Sequence, residues 1–199
     1  MMKGLYGLVL AGGKSTRMGR DKGSIHYHGV SQRVFASRLL SEFCDAVFVS
    51  CRQEQVATLE PELQPLVDAF ENLGPTSGIL TALHFKPDTA WLVIACDLPF
   101  LSHESLRRLV EARDASKVAT AYQNPDDHLP EPLIAIYEPQ SRAGLMAAVE
   151  SGKNCPRKFL LNADCKFILP KTPDVIANIN TPDEYRSALS KLSENPASL

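Results

Sequence analysis

The chain has 199 residues, of which 44% are hydrophobic, and its 21 Lys and Arg against 23 Asp and Glu give a formal net charge of -2. This length and apolar fraction are typical of one folded domain and exclude a globally disordered chain. The near-neutral charge argues against a protein that coats a polyanion, so nucleic acid is not an expected partner.

The N-terminal apolar stretch, residues 5–11, is short for a signal sequence and is followed at once by glycines and charge. No apolar run reaches the roughly 18–20 residues that a membrane span needs. We therefore interpret residues 5–11 as a first β-strand and expect a cytoplasmic protein without a membrane segment. The odd cysteine count of 5, with no Cys-x-x-Cys pair, favours buried or incidental thiols over disulfides or a zinc site.

Apolar runs without alternation predict strands that are buried on both faces of a sheet. Such runs occupy residues 5–11, 46–50 and 91–95, with further strand candidates at 65–67, 117–122 and 132–137. Between them, apolar residues recur at helical spacing, and we predict helices from the stripes that contain Phe35, Ile79, Leu106 and Leu145.

The last helix has the clearest start signal. Thr181 is a capping residue, Pro182 suits the first helical position, and Glu184 stands three residues after the cap. Strands that alternate with helices predict βαβ units, a mostly parallel sheet and an α/β/α arrangement of three layers. We see no internal domain boundary, so we expect a single domain over residues 1–192 and a flexible tail over 193–199.

A glycine-rich, cationic loop follows the first strand. Gly12 and Gly13 let backbone N–H groups approach a phosphate closely, and four cations follow within nine residues. These cations are Lys14, Arg17, Arg20 and Lys22. Because ligands bind beyond the carboxyl ends of parallel strands, the loop predicts a phosphate site. It matches neither the Gly-x-Gly-x-x-Gly dinucleotide loop nor the Walker loop, whose first glycine would stand where Leu8 is.

The loop closely resembles the signature of molybdenum cofactor guanylyltransferases, with the pattern L-A-G-G-x-S-x-R-M-G-x-D-K over residues 10–22. Three further motifs follow in the order of that family: L-G-P with Gly78 (73–78), A-C-D-L-P (95–99) and N-I-N-T-P (178–182). The resemblance covers nearly the whole chain. It implies a Rossmann-like, glycosyltransferase-A-type nucleotidyltransferase fold and a cytoplasmic enzyme of molybdenum cofactor biosynthesis.

Two carboxylates follow strands. Asp97 directly follows the apolar run 91–96, and its position alone fits either a Mg²⁺ ligand or a turn cap. The resemblance favours the metal role. Asp68 follows the short run 65–67, and the resemblance implies that it binds the nucleotide. Asn180 precedes the last helix and, by the same resemblance, is a possible contact to the acceptor or to a second metal.

The resemblance implies a reaction in which the terminal phosphate of molybdenum-molybdopterin attacks the α-phosphorus of GTP, releasing pyrophosphate. Leu10, Ala11, Gly12 and Gly13 would contact the nucleotide, while Arg17 and Lys22 would stabilise developing negative charge. Mg²⁺ would bind at Asp97. Transient contacts with the protein that delivers the cofactor and with the molybdoenzymes that receive it are also expected.

Three alternatives stay open from the sequence. Molybdopterin cytidylyltransferases and sugar-phosphate nucleotidyltransferases use the same chemistry on other substrates, and an adaptor could bind GTP without turning it over. The wider family often has Asn near the end of its second strand, where this chain has Ser50, Cys51 and Arg52. That departure leaves base recognition at this position open.

Overall fold

The computed structural model describes residues 4–11, 22–179 and 181–194. Within these residues, the seven strands are β1 Leu5–Leu10, β2 Ala46–Cys51, β3 Pro65–Val67, β4 Ala90–Ala95, β5 Ala119–Gln123, β6 Pro130–Tyr137 and β7 Cys165–Ile168. The described part of the chain contains six α-helices: α1 Gln32–Ser41, α2 Pro75–Phe85, α3 His103–Glu111, α4 Ser141–Glu150, α5 Pro156–Asn162 and α6 Pro182–Glu194. Short 3₁₀ turns cover Lys22–Ser24, Gln53–Thr58 and Pro173–Ile176.

The strands form one sheet in the order β3-β2-β1-β4-β6-β5-β7. Strands β3, β2, β1 and β4 pair in parallel, β6 runs antiparallel to both β4 and β5, and β7 pairs in parallel with β5. The prediction of a mostly parallel sheet is therefore confirmed.

Helices cover both faces of the sheet, which accounts for strands without a polar side. Along β4, Leu92 and Ile94 join a core cluster that includes residues of α1 and α3. Trp91 and Val93 point to the other face, into a cluster that includes residues of α2, α4 and α5. Because successive side chains alternate across a strand, a strand buried on both faces must be apolar at every position. The three-layer architecture predicted from the sequence is thus confirmed.

The start of α6 follows the predicted capping box. The Glu184 amide donates to Thr181 Oγ1 at 3.2 Å, and Glu184 Oε2 accepts the Thr181 amide at 3.0 Å. This helix runs to Glu194, two residues into the segment that we expected to be a tail, and residues 195–199 lie outside the described part.

Other boundaries differ modestly from the sequence predictions. Strand β5 begins at Ala119, two residues later than predicted, and β6 begins at Pro130, two residues earlier. The sequence did not predict α5 or β7, which together span residues 156–168 apart from a two-residue link. Among the described residues, no helix is long and apolar enough to cross a membrane.

Candidate active site

The carboxyl ends of β3, β2, β1 and β4 meet at one edge of the sheet, as parallel pairing requires. The Ala11 amide donates to Ser50 O at 3.2 Å, and the Cys96 amide donates to Leu10 O at 3.3 Å. On the outer side, the Asp68 amide donates to Cys51 O at 2.9 Å. Three predicted features therefore lie along one edge: Asp68 at one end, the start of the glycine-rich loop in the middle, and the β4 exit at the other end.

Asp97 lies two residues after β4, half-buried at this edge. The Ile179 amide donates to Asp97 O at 3.0 Å, so the segment that leads to α6 is fixed to the same residue. Across residues 4–11, 22–179 and 181–194, no three His, Cys, Asp or Glu side chains cluster as a metal site. A lone carboxylate fits the donor set of Mg²⁺, which commonly takes one or two protein carboxylates and completes its shell with water and substrate phosphates.

The segment after the glycine-rich loop is held against the Asp97 turn. Gln32, at the start of α1, links the two: its amide donates to Ile25 O at 2.8 Å and its side-chain Nε2 donates to Leu98 O at 3.3 Å. The Nε2 atom of His28 lies 3.1 Å from Pro99 O, and the His28 ring stacks on Phe35 with ring centroids 3.8 Å apart. These contacts bring the backbone of the segment that starts at Lys22 towards the β4 exit.

His26 and His28 lie in different surroundings. Residue 26 makes only an isolated bridge to Ser31, and His28 is half-buried between Phe35 and the 97–99 turn. Burial lowers the pKa of His28, against the opposing effect of its contact with Pro99 O. This histidine is therefore a packing residue of the site's wall.

Tyr27 also borders Asp97, and the sequence analysis did not single it out. Its ring meets that of Tyr185, on α6, edge to face with centroids 5.1 Å apart. Burial raises the pKa of the Tyr27 hydroxyl above its ordinary value, and the nearby Tyr185 and Asp97 add to the rise. Helix α6 is thereby packed against the same corner as the Asp97 turn.

At the other end of the edge, Ser50 Oγ donates a 2.6 Å hydrogen bond to Asp68 Oδ1. Burial raises the pKa of Asp68, while the Ser50 hydrogen bond opposes that rise. The next amide, that of Ala69, donates to Thr81 Oγ1 on α2 at 2.9 Å. The half-buried Asp68 carboxylate is therefore held by a side chain of β2, and the backbone that follows it is held by a side chain of α2.

Several predicted site residues fall outside the described part of the chain. They are Gly12, Gly13, Arg17 and Asn180, and for Lys22 only the backbone is described. Their roles stay predictions. Leu10, Ala11, Asp68 and Asp97 are described, and the structure brings them to one edge.

A family model for the MobA-like NTP transferase domain matches residues 7–167. The chain belongs to the MobA-like NTP transferase family. This membership confirms the resemblance inferred from the motifs and the nucleotidyltransferase class, and the family is consistent with use of a divalent metal.

Relatives of this MobA-like NTP transferase include a molybdenum cofactor biosynthesis bifunctional protein of Synechocystis sp., 43% identical over 182 residues. That match covers 91% of the chain but 52% of the relative, so the chain spans about half of its length. A probable molybdenum cofactor guanylyltransferase of Natronomonas pharaonis is 38% identical over 82% of the chain and 78% of its own length.

Solved structures agree on the fold. A crystal structure titled molybdopterin-guanine dinucleotide biosynthesis protein A, from Archaeoglobus fulgidus, superposes with a TM-score of 0.79 at 26% identity. The match covers 95% of this chain and 99% of that one. A nucleotidyl transferase from Methanothermobacter, at 16% identity and a TM-score of 0.75, shares the fold alone.

Proposed function

We propose that this MobA-like NTP transferase transfers GMP from GTP to the terminal phosphate of molybdenum-molybdopterin, giving molybdopterin guanine dinucleotide and pyrophosphate. The names of the relatives support this choice of substrates. The observation that carries it is the single edge on which Asp68 and Asp97 stand on either side of Leu10 and Ala11. That edge offers one carboxylate for each end of a nucleotide.

The backbone of Leu10, Ala11, Gly12 and Gly13 would line the nucleotide between these carboxylates. Cationic side chains at Arg17 and Lys22 would offset the charge that develops on the bridging and leaving oxygens. Such groups lower the barrier because they are already oriented when charge appears.

The proposed reaction needs no general base, because a phosphate nucleophile is already ionised at neutral pH. The chain's task is then to align two phosphates and neutralise their charge. Asp97 would hold Mg²⁺, which when bound polarises a phosphate and offsets its charge. Asn180 would contact the acceptor or a second metal.

The remaining parts of the proposal concern context. Molybdenum-molybdopterin must reach the site from a protein that carries it, and the product must pass to a molybdoenzyme, so transient protein contacts are part of the proposal. We also place the reaction in the cytoplasm, where GTP is made.

Pyrophosphate release tests the proposed function. The purified chain is supplied with GTP, CTP, ATP or UTP and Mg²⁺, with and without molybdenum-molybdopterin. We expect release with GTP only when the acceptor is present. A tenfold preference for CTP, about 1.4 kcal/mol, would instead support a cytidylyltransferase. GTP binding without release would support the adaptor, and release when a sugar phosphate replaces molybdenum-molybdopterin would support a sugar-phosphate nucleotidyltransferase.

A further inference from the structure

We propose that Tyr27 is a catalytic residue for the acceptor, whose hydroxyl donates a hydrogen bond to the terminal phosphate of molybdenum-molybdopterin beside Asp97. This inference rests on the proposed function. It deepens it by assigning one side chain, outside the glycine-rich loop, to the phosphate that attacks GTP.

The backbone around Tyr27 is fixed on both sides. Before it, Ile25 O accepts the amide of Gln32, the first residue of α1, at 2.8 Å. After it, the Nε2 atom of His28 lies 3.1 Å from Pro99 O, in the turn that follows β4. A side chain between two fixed positions has a defined direction, which the alignment of reacting groups requires.

The ring of Tyr27 is packed as well. It meets the ring of Tyr185, on α6, edge to face with centroids 5.1 Å apart, which is a favourable geometry for an aromatic pair. The chain that leads into α6 is itself tied to the β4 exit, because the Ile179 amide donates to Asp97 O at 3.0 Å. Tyr27 therefore occupies the corner between the Asp97 turn and the start of α6.

The hydroxyl of Tyr27 hydrogen-bonds to no other residue within the described ranges, although its side chain is half-buried. The two fully buried tyrosines differ, because each donates to a backbone carbonyl: Tyr122 to Ser105 O at 2.8 Å and Tyr137 to Pro132 O at 2.9 Å. A packed tyrosine normally places its hydroxyl on such a partner. Tyr27 instead keeps a donor that a ligand can use.

The surroundings of this hydroxyl favour the acceptor over the nucleotide. Burial raises the pKa of Tyr27, and the nearby Tyr185 and Asp97 raise it further, so the hydroxyl lies at the Asp97 end of the edge. Asp68 is three strands away in the order β3-β2-β1-β4, which is roughly 14 Å at about 4.8 Å per spacing. With the nucleotide across the strands between these carboxylates, the acceptor is left with the side towards α6, where the proposed function also places Asn180.

A phenol suits a contact with this phosphate. Tyrosine has an ordinary pKa of about 10, so at neutral pH its hydroxyl is protonated and donates to an anion without adding charge. Hydrogen bonds to a charged oxygen are stronger than those between neutral groups. The hydroxyl donates to a phosphate oxygen other than the one that attacks, so it keeps its proton throughout the step and acts by holding the nucleophile in line.

Tyr27→Phe tests the contact, because it keeps the ring and removes only the hydroxyl. We expect kcat/KM for molybdenum-molybdopterin to fall roughly tenfold or more, while the calorimetric Kd for GTP with Mg²⁺ and the Tm stay as in the wild type. An unchanged kcat/KM for the acceptor would overturn the inference. A weaker Kd for GTP would assign the hydroxyl to the nucleotide and would overturn it too.

Tyr6→Phe is the matched control. Tyr6 is also half-buried, its ring packs against Phe48 and Trp91, and its hydroxyl likewise has no hydrogen bond to another residue of the described part. It lies at the start of β1, whereas the site is at the end of that strand. The same loss of one oxygen there should change neither kcat/KM nor the Kd for GTP.

The terminal phosphate of the acceptor supplies the second arm of the test. Kd values for molybdopterin and for its dephosphorylated form, followed by pterin fluorescence without oxygen, show how much the phosphate contributes to binding. Tyr27→Phe should reduce that contribution about tenfold and bind the dephosphorylated form as the wild type does. An equal loss for both forms would assign Tyr27 to packing or to the pterin and would overturn the inference. A wild-type chain that releases no pyrophosphate from GTP with the acceptor would instead contradict the proposed function itself.

Discussion

Gly78→Ala tests the packing behind the nucleotide edge, because two physical effects of opposite sign compete there. Alanine in a helix interior is favoured over glycine by about 1 kcal/mol. Against this, the added Cβ would lie 2.4 Å from Ser50 Oγ and 2.6 Å from Leu10 Cδ2. Overpacking a dense interior costs about 1–3 kcal/mol.

The upper part of that range applies here. Ser50 is 2% exposed and bonded to Asp68, so its hydroxyl has little room to move away. A cost of about 3 kcal/mol less a gain of about 1 kcal/mol leaves a net loss of about 2 kcal/mol. For a domain of this size, that corresponds to a fall in Tm of roughly 4–8 °C.

Thermal unfolding followed by circular dichroism measures this fall, with Gly144→Ala as the matched control. Gly144 is also inside a helix, but its added Cβ would meet only the ring of the half-buried Phe159, at 2.8 Å from Cε2. That ring can turn aside, so the control should keep or slightly raise its Tm. In the double variant with Ser50→Ala, part of the loss should return. A Gly78→Ala protein at least as stable as the wild type would refute the packing argument.

Three further outcomes are expected. Lys22→Ala should lower the rate of pyrophosphate release by roughly 10²-fold with an unchanged Tm, and a near-full rate at saturating substrates would contradict its phosphate role. Arg113→Met should lower the free energy of unfolding, measured in urea, by about 3–5 kcal/mol. It removes the cationic partner of Glu138, whose side chain is 2% exposed and pairs with Arg113 at 2.6 Å. A loss under about 1 kcal/mol would contradict a stabilising role for this buried pair. The exposed Cys155 thiol should be alkylated well before the Cys44 thiol, because burial raises the pKa of Cys44 to about 12. Mass spectrometry of the labelled peptides that finds Cys44 modified first would contradict the structure.

Much of the sheet could be predicted from the sequence, because strands buried on both faces must be apolar throughout. The run 91–95 and the acid that follows it identified both β4 and Asp97. The start of α6 could also be predicted, because a capping box is a local sequence pattern, formed here by Thr181 and Glu184. Helix α5 and strand β7 were not predicted, because they are short and their positions depend on packing against distant elements.

The site was predicted less completely for a related reason. The hydrogen bond between Ser50 and Asp68 joins residues 18 positions apart, and a serine at a strand end carries no signal of its partner. Tyr27 was missed because its role depends on an aromatic contact with Tyr185, at the far end of the chain. Contacts that form only when the fold brings distant segments together leave no local pattern in the sequence.

The central claim is that the chain transfers a nucleotidyl group from GTP to molybdenum-molybdopterin. Two parallel reactions, with GTP labelled at its α-phosphate or at its γ-phosphate, test it most directly when the labelled products are separated. We predict that the α-label appears in molybdopterin guanine dinucleotide and the γ-label in pyrophosphate, and that Asp97→Asn abolishes both while keeping the wild-type Tm. Transfer of the γ-label to the acceptor, or full transfer by Asp97→Asn, would contradict the account.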